Sequence, residues 1–163
     1  MAKILSMEVG YSTTRICEMD YRVKTPKVYK YVSIPTPVGV MDDGFVAVNE
    51  EFALEIKKVL LEKKIKTKQV VFSVTSTKIA TREVMLPAIK MSQVDTLVKA
   101  NASDYFPIDL TDYEVAGLVL GTHKEEGQSD RYRVLVMAAE KKLVDGYERL
   151  ADAVGLHLIA MDY

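Results

Sequence analysis

The stretch ILSMEVGYSTTRICEMD, residues 4–20, decides the fold. Its first half, Ile4–Val9, is an apolar strand-like run, and a polar turn that starts at Gly10 separates it from a second strand-like run, Thr13–Met19. Two such runs joined by a short glycine-containing turn are typical of an antiparallel β-hairpin. We therefore predict that this stretch forms a hairpin.

The turn of this hairpin is a candidate phosphate site. A glycine lets a ligand approach the backbone closely, and a turn concentrates N–H donors. Glu8 is placed to hold a hydrated Mg²⁺, and Arg15 is placed to meet phosphate charge. A plain hairpin turn explains the same pattern, and the local sequence alone favours that interpretation. The candidate residues are Glu8, Gly10, Tyr11, Ser12, Thr13, Thr14 and Arg15.

Further along the chain, a third strand is predicted over Val28–Ile34 and a fourth over Val70–Val74. A helix is expected between them, with Asn49 as its N-cap and acidic residues in its first turn. One apolar face of this helix is predicted to pack on the sheet, since its residues recur at helical spacing. They are Phe52, Ile56, Val59 and Leu60.

A second unit is predicted to begin near Lys78. Ser92 and Asp95 have the spacing of a helix capping box, and Gly155 is a natural helix stop. The charged loop 121–130 is typical of a hairpin connection. The predicted order is strand, helix, strand, strand, helix, strand. The corresponding ranges are Ile79–Met85, Ser92–Tyr105, Val115–Leu120, Tyr132–Ala138, Lys141–Val154 and His157–Met161.

Composition excludes several classes of function. The 163 residues are 48% hydrophobic and 28% charged with a net charge of −1, so no global field attracts nucleic acid or an anionic membrane. The single cysteine, Cys17, excludes an internal disulfide, and no apolar run approaches the ~20 residues that span a bilayer. No nucleotide-binding glycine motif, serine-hydrolase motif or histidine-based metal motif occurs. We predict no catalytic residues and no metal site.

Four strings carry a family resemblance. They are MEVGYSTTRI at 7–16, the loop, helix and strand at 37–74, ATREVMLP with the helix and strand after it at 80–121, and VMAAEKK with its helix and strand at 136–163. Together they resemble the N-terminal half of the PilM family, actin-like proteins of type IV pilus assembly that are related to FtsA. The third string is the most specific, with Arg82 before Leu86-Pro87 and with Tyr105–Pro107 at a helix end.

The resemblance implies a mixed α+β or α/β fold with an incomplete actin-like, ribonuclease-H-like subdomain. Residues 1–76 would form the first part of subdomain 1A, residues 77–155 an inserted βαββαβ subdomain 1C, and residues 156–163 a strand returning toward 1A. Family members are about twice as long, and their second half supplies a second phosphate hairpin and an adenosine pocket. Asp42-Asp43-Gly44 matches the hairpin motif but is more typical of a turn. The sequence is therefore expected to be a truncated fragment.

For full-length relatives the resemblance implies binding of ATP and Mg²⁺, and for this chain alone neither is expected. Glu8 stands where the family has Asp, and Arg15 stands where it has Lys. Both changes alter the reach or shape of the charged group. Enzymatic activity of this chain is not predicted.

The implied role is that of a cytoplasmic adaptor at the inner face of the bacterial cytoplasmic membrane. The resemblance implies that in relatives the N-terminal tail of the inner-membrane protein PilN lies as an extended peptide in the groove between 1A and 1C. The matching candidates here are Arg82, Leu86, Pro87, Tyr105 and Phe106, although core packing is the favoured explanation for Leu86 and for each of the aromatic residues taken separately.

Other partners follow from the same resemblance. Contacts with other pilus proteins and with a second copy are further expectations, nucleic acid is not expected as a partner, and contact with the membrane is expected only through a partner. The alternatives are an actin-like ATPase, a filament-forming FtsA-like division protein, or an interaction module of a related secretion system. The TREVMLP string favours the PilM family over FtsA.

Overall fold

A computed structural model describes residues 3–20, 25–124 and 129–163 of the chain. The chain divides into two compact units, one formed by Met1–Ser76 with Lys142–Tyr163 and the other by Thr77–Lys141. The elements follow in the order β1 (Ile4–Val9), β2 (Thr13–Asp20), β3 (Lys27–Pro35), β4 (Met41–Asp42), β5 (Phe45–Val46), α1 (Glu50–Glu62), β6 (Gln69–Ser73), β7 (Ala80–Pro87), α2 (Met91–Ala100), α3 (Ala102–Tyr105), β8 (Tyr113–His123), β9 (Arg131–Glu140), α4 (Lys141–Val154) and β10 (His157–Asp162).

The first unit is built on a five-stranded mixed sheet with the order β10-β6-β1-β2-β3. Strands β1 and β2 form the predicted antiparallel hairpin, and β3 continues it on the far side of β2. Strand β6 runs parallel to β1, and β10 runs parallel to β6. Because these three strands are parallel, their carboxyl ends meet at the same edge of the sheet.

Helix α1 begins after Asn49, as predicted from the sequence. The Asn49 side chain accepts hydrogen bonds from the amides of Glu51 at 2.9 Å and Phe52 at 3.2 Å, so it satisfies donors that the helix itself leaves unpaired. Phe52, Ile56 and Leu60 are buried, which confirms most of the predicted apolar face.

Helix α4 belongs to the first unit, whereas the sequence-based division assigned it to the second and placed the boundary at residue 155. The ring of Tyr147 packs on Phe72 of β6 with 5.0 Å between centroids. A Cβ on Gly146 would lie 2.8 Å from the carbonyl oxygen of Val46, so helix and chain are in close contact there. The amphipathic pattern shows that one helix face is buried, but it does not show which sheet covers that face.

Two short strands, β4 and β5, were not predicted. They pair antiparallel as a two-stranded sheet around Asp43 and Gly44, where the sequence predicted a turn. Both turn residues have positive φ, 43° and 85°, which is the geometry of a tight Asp-Gly hairpin turn. Each strand is two residues long and therefore carries no periodicity that a sequence pattern would reveal.

The second unit is a three-stranded antiparallel sheet with the order β7-β9-β8, and α2 packs on β8. Its core is formed by Leu86, Val94, Val98, Ala102, Phe106, Val115, Val134, Val136 and Ala138.

The predicted helix over Ser92–Tyr105 differs from the observed one. It starts at Met91 without a side-chain cap and is interrupted at Asn101, so the predicted capping box is wrong. The hairpin of β8 and β9 is confirmed, while residues 125–128 of its predicted loop lie outside the described residues.

Candidate functional site

A cavity of about 260 Å³ lies in the first unit at the carboxyl ends of β1 and β6. Crevices outside the carboxyl ends of parallel strands are frequent ligand sites in sheets of this kind. The cavity is lined by the β1–β2 hairpin (Glu8, Val9, Gly10, Tyr11), the β4–β5 hairpin (Met41, Asp43, Gly44), the end of β6 and the segment after it (Ser73, Thr75) and Tyr147 of α4.

The hairpin turn has the close backbone geometry that the sequence predicted. The amide of Gly10 donates to the carbonyl oxygen of Thr13 at 3.1 Å, which leaves Tyr11 and Ser12 at the tip. A Cβ on Gly10 would lie 2.7 Å from that same oxygen, so a side chain would open the turn. Three of the predicted phosphate residues, Glu8, Gly10 and Tyr11, line the cavity.

The two charged residues of the predicted site bind each other. Glu8 and Arg15 are directly opposite in the hairpin register, and Arg15 Nη1 donates to Glu8 Oε2 at 3.0 Å. The carboxylate predicted to hold hydrated Mg²⁺ and the guanidinium predicted to meet phosphate are therefore paired. Both side chains are about half exposed, so the pair is weak enough for a ligand to compete with it.

Thr14, one of the candidate phosphate residues, does not line the cavity. The residue is fully buried, and its Oγ1 lies 2.8 Å from Oγ1 of Thr36 in a buried hydrogen bond. The amide of Thr36 also donates to the carbonyl oxygen of Ser12 at 3.0 Å. Thr14 thus anchors the hairpin to the segment after β3. Ser12 is exposed and Thr13 half-buried, but neither is among the residues that line the cavity.

Several cavity residues were not predicted from the sequence. Gly44 lies so close to the segment after β6 that a Cβ would be 2.5 Å from Cβ of Ser76 and 3.0 Å from the carbonyl oxygen of Thr75. This packing brings Asp43 beside the same cavity as Glu8. The Asp-Gly turn was visible in the sequence, but nothing in its local pattern indicated that it faces the first hairpin.

The cavity is acidic and also presents a neutral hydroxyl. Glu8 and Asp43 are its charged lining residues, and burial raises the pKa of the Tyr147 phenol from 10.0 to about 12. Among the described residues, no group of three or more His, Cys, Asp or Glu side chains is placed to hold a metal ion.

The predicted partner-binding residues lie in the second unit, and the structure separates them into two groups. Leu86 and Phe106 belong to the buried core of this unit, so core packing explains them. Arg82 is exposed and donates from Nη1 to the carbonyl oxygen of Tyr105 at 2.8 Å, which joins β7 to the end of α3. Pro87 is exposed at the end of β7, and Tyr105 is half-buried.

No helix within residues 3–20, 25–124 and 129–163 is both long and apolar enough to cross a membrane.

Comparison with known proteins gives the family and the fold. The family model described as type IV pilus assembly protein PilM matches residues 6–163. A solved PilM-PilN type IV pilus biogenesis complex contains a chain that is 25% identical, with a TM-score of 0.78 over 98% of this chain and 46% of that one. The cytoplasmic domain of EpsL, an inner membrane component of the type II secretion system of Vibrio cholerae, is 11% identical with a TM-score of 0.55. That match covers 99% of this chain and 57% of the EpsL chain. No curated protein sequence matches the chain.

The chain spans about half the length of the chains in these two solved structures. The predicted fold class is confirmed as a mixed α+β fold in an incomplete form, and the predicted family is confirmed because its model covers almost all residues. The chain belongs to the type IV pilus assembly protein PilM family.

Proposed function

We propose that this chain is a cytoplasmic adaptor of pilus assembly that binds the N-terminal tail of a PilN-like inner-membrane protein. The observation that carries the proposal is the match to a PilM-PilN complex over 98% of the chain with a TM-score of 0.78. The tail would hold the adaptor at the inner face of the cytoplasmic membrane. Contacts with other pilus proteins or a second copy remain predictions.

The second unit offers a means of binding an extended peptide. Strand β7 is an edge strand of its sheet, and an edge strand presents unpaired backbone groups with which a peptide can pair. Arg82 and Pro87 lie on this strand with exposed side chains, and the Arg82 hydrogen bond to Tyr105 fixes the guanidinium near the end of α3. We expect main-chain pairing to supply affinity and Arg82 to supply selectivity.

The proposal is tested with a synthetic peptide that has the tail sequence of the PilN-like protein from the same organism. Saturating peptide should raise the Tm, since a ligand that binds only the folded state stabilises it, and a scrambled peptide should not. Arg82→Ala should weaken binding measured by fluorescence anisotropy. Arg133→Ala, on the neighbouring strand β9 and similarly exposed, is the matched control that should bind normally. An unchanged Tm at saturating peptide would contradict tail binding.

The cavity of the first unit favours a second candidate function, nucleotide binding by longer family members. Its position beside the β1–β2 hairpin is where the family resemblance places a phosphate. For this chain alone we expect no ATP binding, because the charged residues that line the cavity, Glu8 and Asp43, are both acidic and repel phosphate groups. Binding of ATP with Mg²⁺ would then require the second phosphate hairpin and the adenosine pocket that the second half of longer family members supplies. Saturable ATP binding at sub-millimolar affinity in calorimetry of the 163-residue chain would overturn this expectation.

A further inference from the structure

Six of the lysines that the structure describes gather at the sheet edge opposite the cavity of the first unit. Lys3 precedes β1 and Lys68 precedes β6, and both belong to this edge because β1 and β6 are parallel. The end of β2 and the start of β3 lie at the same edge, since Asp20 is opposite Lys27 in the register. The lysine cluster consists of Lys3, Lys27, Lys30, Lys64, Lys66 and Lys68.

Direct contacts hold the lysine cluster together. Lys3 Nζ donates to Glu18 Oε2 at 3.2 Å, and Thr67 Oγ1 donates to Glu18 Oε1 at 2.7 Å. Lys30 Nζ donates to the carbonyl oxygen of Lys64 at 2.7 Å. A shallow depression of about 440 Å³ runs between Lys3, Lys66 and Lys68 and is wide open to solvent.

Positive charge is in excess at this edge. Among the described residues, the six lysines of the lysine cluster accompany two carboxylates near the end of β2, those of Glu18 and Asp20. Burial disfavours ionisation of Glu18, but hydrogen bonds from Thr67 and Lys3 and the charges of Lys3 and Lys30 outweigh it and lower its pKa. The whole chain has a net charge of −1, so the positive charge at this edge is a local excess. A local excess of positive charge attracts a negatively charged partner to this part of the surface.

Aromatic side chains lie beside the charge. Tyr29 and Tyr31 alternate with Lys30 on β3, and Tyr31 is 58% exposed. Lys3 Nζ is 4.1 Å from the centroid of the Tyr29 ring, and Lys27 Nζ is 5.3 Å from it. Tyrosine next to lysine is the combination found where proteins meet the interface of a bilayer, because the ring is amphipathic and the ammonium stays hydrated.

We propose that the lysine cluster binds directly to a membrane surface rich in anionic lipid headgroups. Groups of four to eight basic residues bind such surfaces through diffuse charge attraction. Among the described residues the cations at this edge are lysines, which act as compact hydrated charges, whereas arginine is preferred where an acidic peptide or a nucleic acid is recognised by paired hydrogen bonds. Binding of the lysine cluster to lipid would add to any attachment to the membrane through a PilN-like partner. It can be tested without that partner.

The test measures sedimentation of the protein with lipid vesicles, without any PilN-like peptide. We expect binding to equimolar phosphatidylglycerol and phosphatidylcholine, little binding to phosphatidylcholine alone, and loss of binding as salt rises. Lys66→Glu combined with Lys68→Glu should lower the partition coefficient about tenfold or more, since it reverses two exposed charges. The matched control is Lys90→Glu combined with Lys99→Glu, an equal charge change in the second unit.

Three outcomes would overturn the proposal. The first is equal sedimentation with neutral and anionic vesicles, and the second is an equal loss of binding in both double variants, which would indicate net charge alone. The third is binding of soluble polyglutamate or heparin without binding of vesicles, which would indicate an acidic macromolecule. The Lys66 and Lys68 variants should still bind the PilN-like tail, so failure here is distinguishable from failure of the adaptor proposal.

Discussion

Gly44 occupies a conformation and a space that both exclude a side chain. Its φ is 85°, and a Cβ there would lie 2.5 Å from Cβ of Ser76 and 3.0 Å from the carbonyl oxygen of Thr75. Gly44→Ala should therefore lower the free energy of unfolding by about 3 kcal/mol, from backbone strain and overpacking together. Urea denaturation followed by circular dichroism measures this change.

Gly39 is the matched control for that substitution. Its φ of 83° is nearly the same, but no atom lies within 4 Å of the position of a Cβ. Gly39→Ala should cost only the backbone term, about 1 kcal/mol. Equal losses in the two variants would show that the contact of the β4–β5 turn with the segment after β6 contributes nothing.

Tyr147 makes stability depend on alkaline pH. Burial raises its pKa from 10.0 to about 12, so the folded state keeps the phenolic proton in a range where the unfolded state has lost it. The stabilisation is fully present below pH 10 and should fall by about 1.4 kcal/mol per pH unit between the two values.

Urea denaturation from pH 9 to 11.5 checks this prediction against Tyr147→Phe, which has no phenolic proton. The ring and its contact with Phe72 remain in that variant. The difference in stability between the two proteins should therefore shrink or change sign as the pH rises above about 10. A difference that stays constant across this range would contradict the raised pKa.

Single residues also show how far the sequence could predict the site. The hairpin, its glycine and its polar tip were predicted correctly because they follow from the local chain. The pairing of Glu8 with Arg15 and the burial of Thr14 against Thr36 were not predicted. Both depend on which residues the register and the third strand place opposite each other.

At the scale of elements, Asn49 is the clearest local determinant of a helix. It satisfies the amides of Glu51 and Phe52 and precedes a first turn that carries Glu50 and Glu51. Asn49→Ala should destabilise the protein by about 1 kcal/mol, because both amides lose their acceptor. Chemical denaturation is the appropriate measurement.

Asn49→Ser and Asn49→Asp are the controls, since serine and aspartate side chains can accept the same hydrogen bonds. Both variants should stay within about 0.5 kcal/mol of the parent protein. If alanine were tolerated as well as these two, the cap would have no measurable role in α1.

Element packing explains the larger differences between prediction and structure. The bounds of β1 and α4 were predicted to the residue, because hydrophobic runs and a glycine stop are local signals. The sheet on which α4 packs was predicted incorrectly, since any apolar surface satisfies an amphipathic helix. The contacts of Tyr147 with Phe72 and of Gly146 with Val46 are long-range, and no sequence window contains both partners.

At the scale of the whole molecule, the two units differ in how the chain builds them. The first unit takes residues from both sides of the second, because α4 and β10 return to the sheet of β1 and β6. The second unit is one continuous segment, Thr77–Lys141, with a core of its own. A continuous segment with its own core meets the usual requirements for independent folding.

We therefore predict that residues 77–141 fold when expressed alone. The three-stranded sheet and α2 should persist, with a free energy of unfolding of at most about 5 kcal/mol, since so short a chain buries a small core. Amide dispersion in NMR spectra measures the fold. Val98→Asp, at a fully buried position of α2, should abolish that dispersion, whereas Thr96→Asp, at an exposed position of the same helix, should preserve it. A collapsed spectrum for the parent segment would mean that its core depends on the first unit.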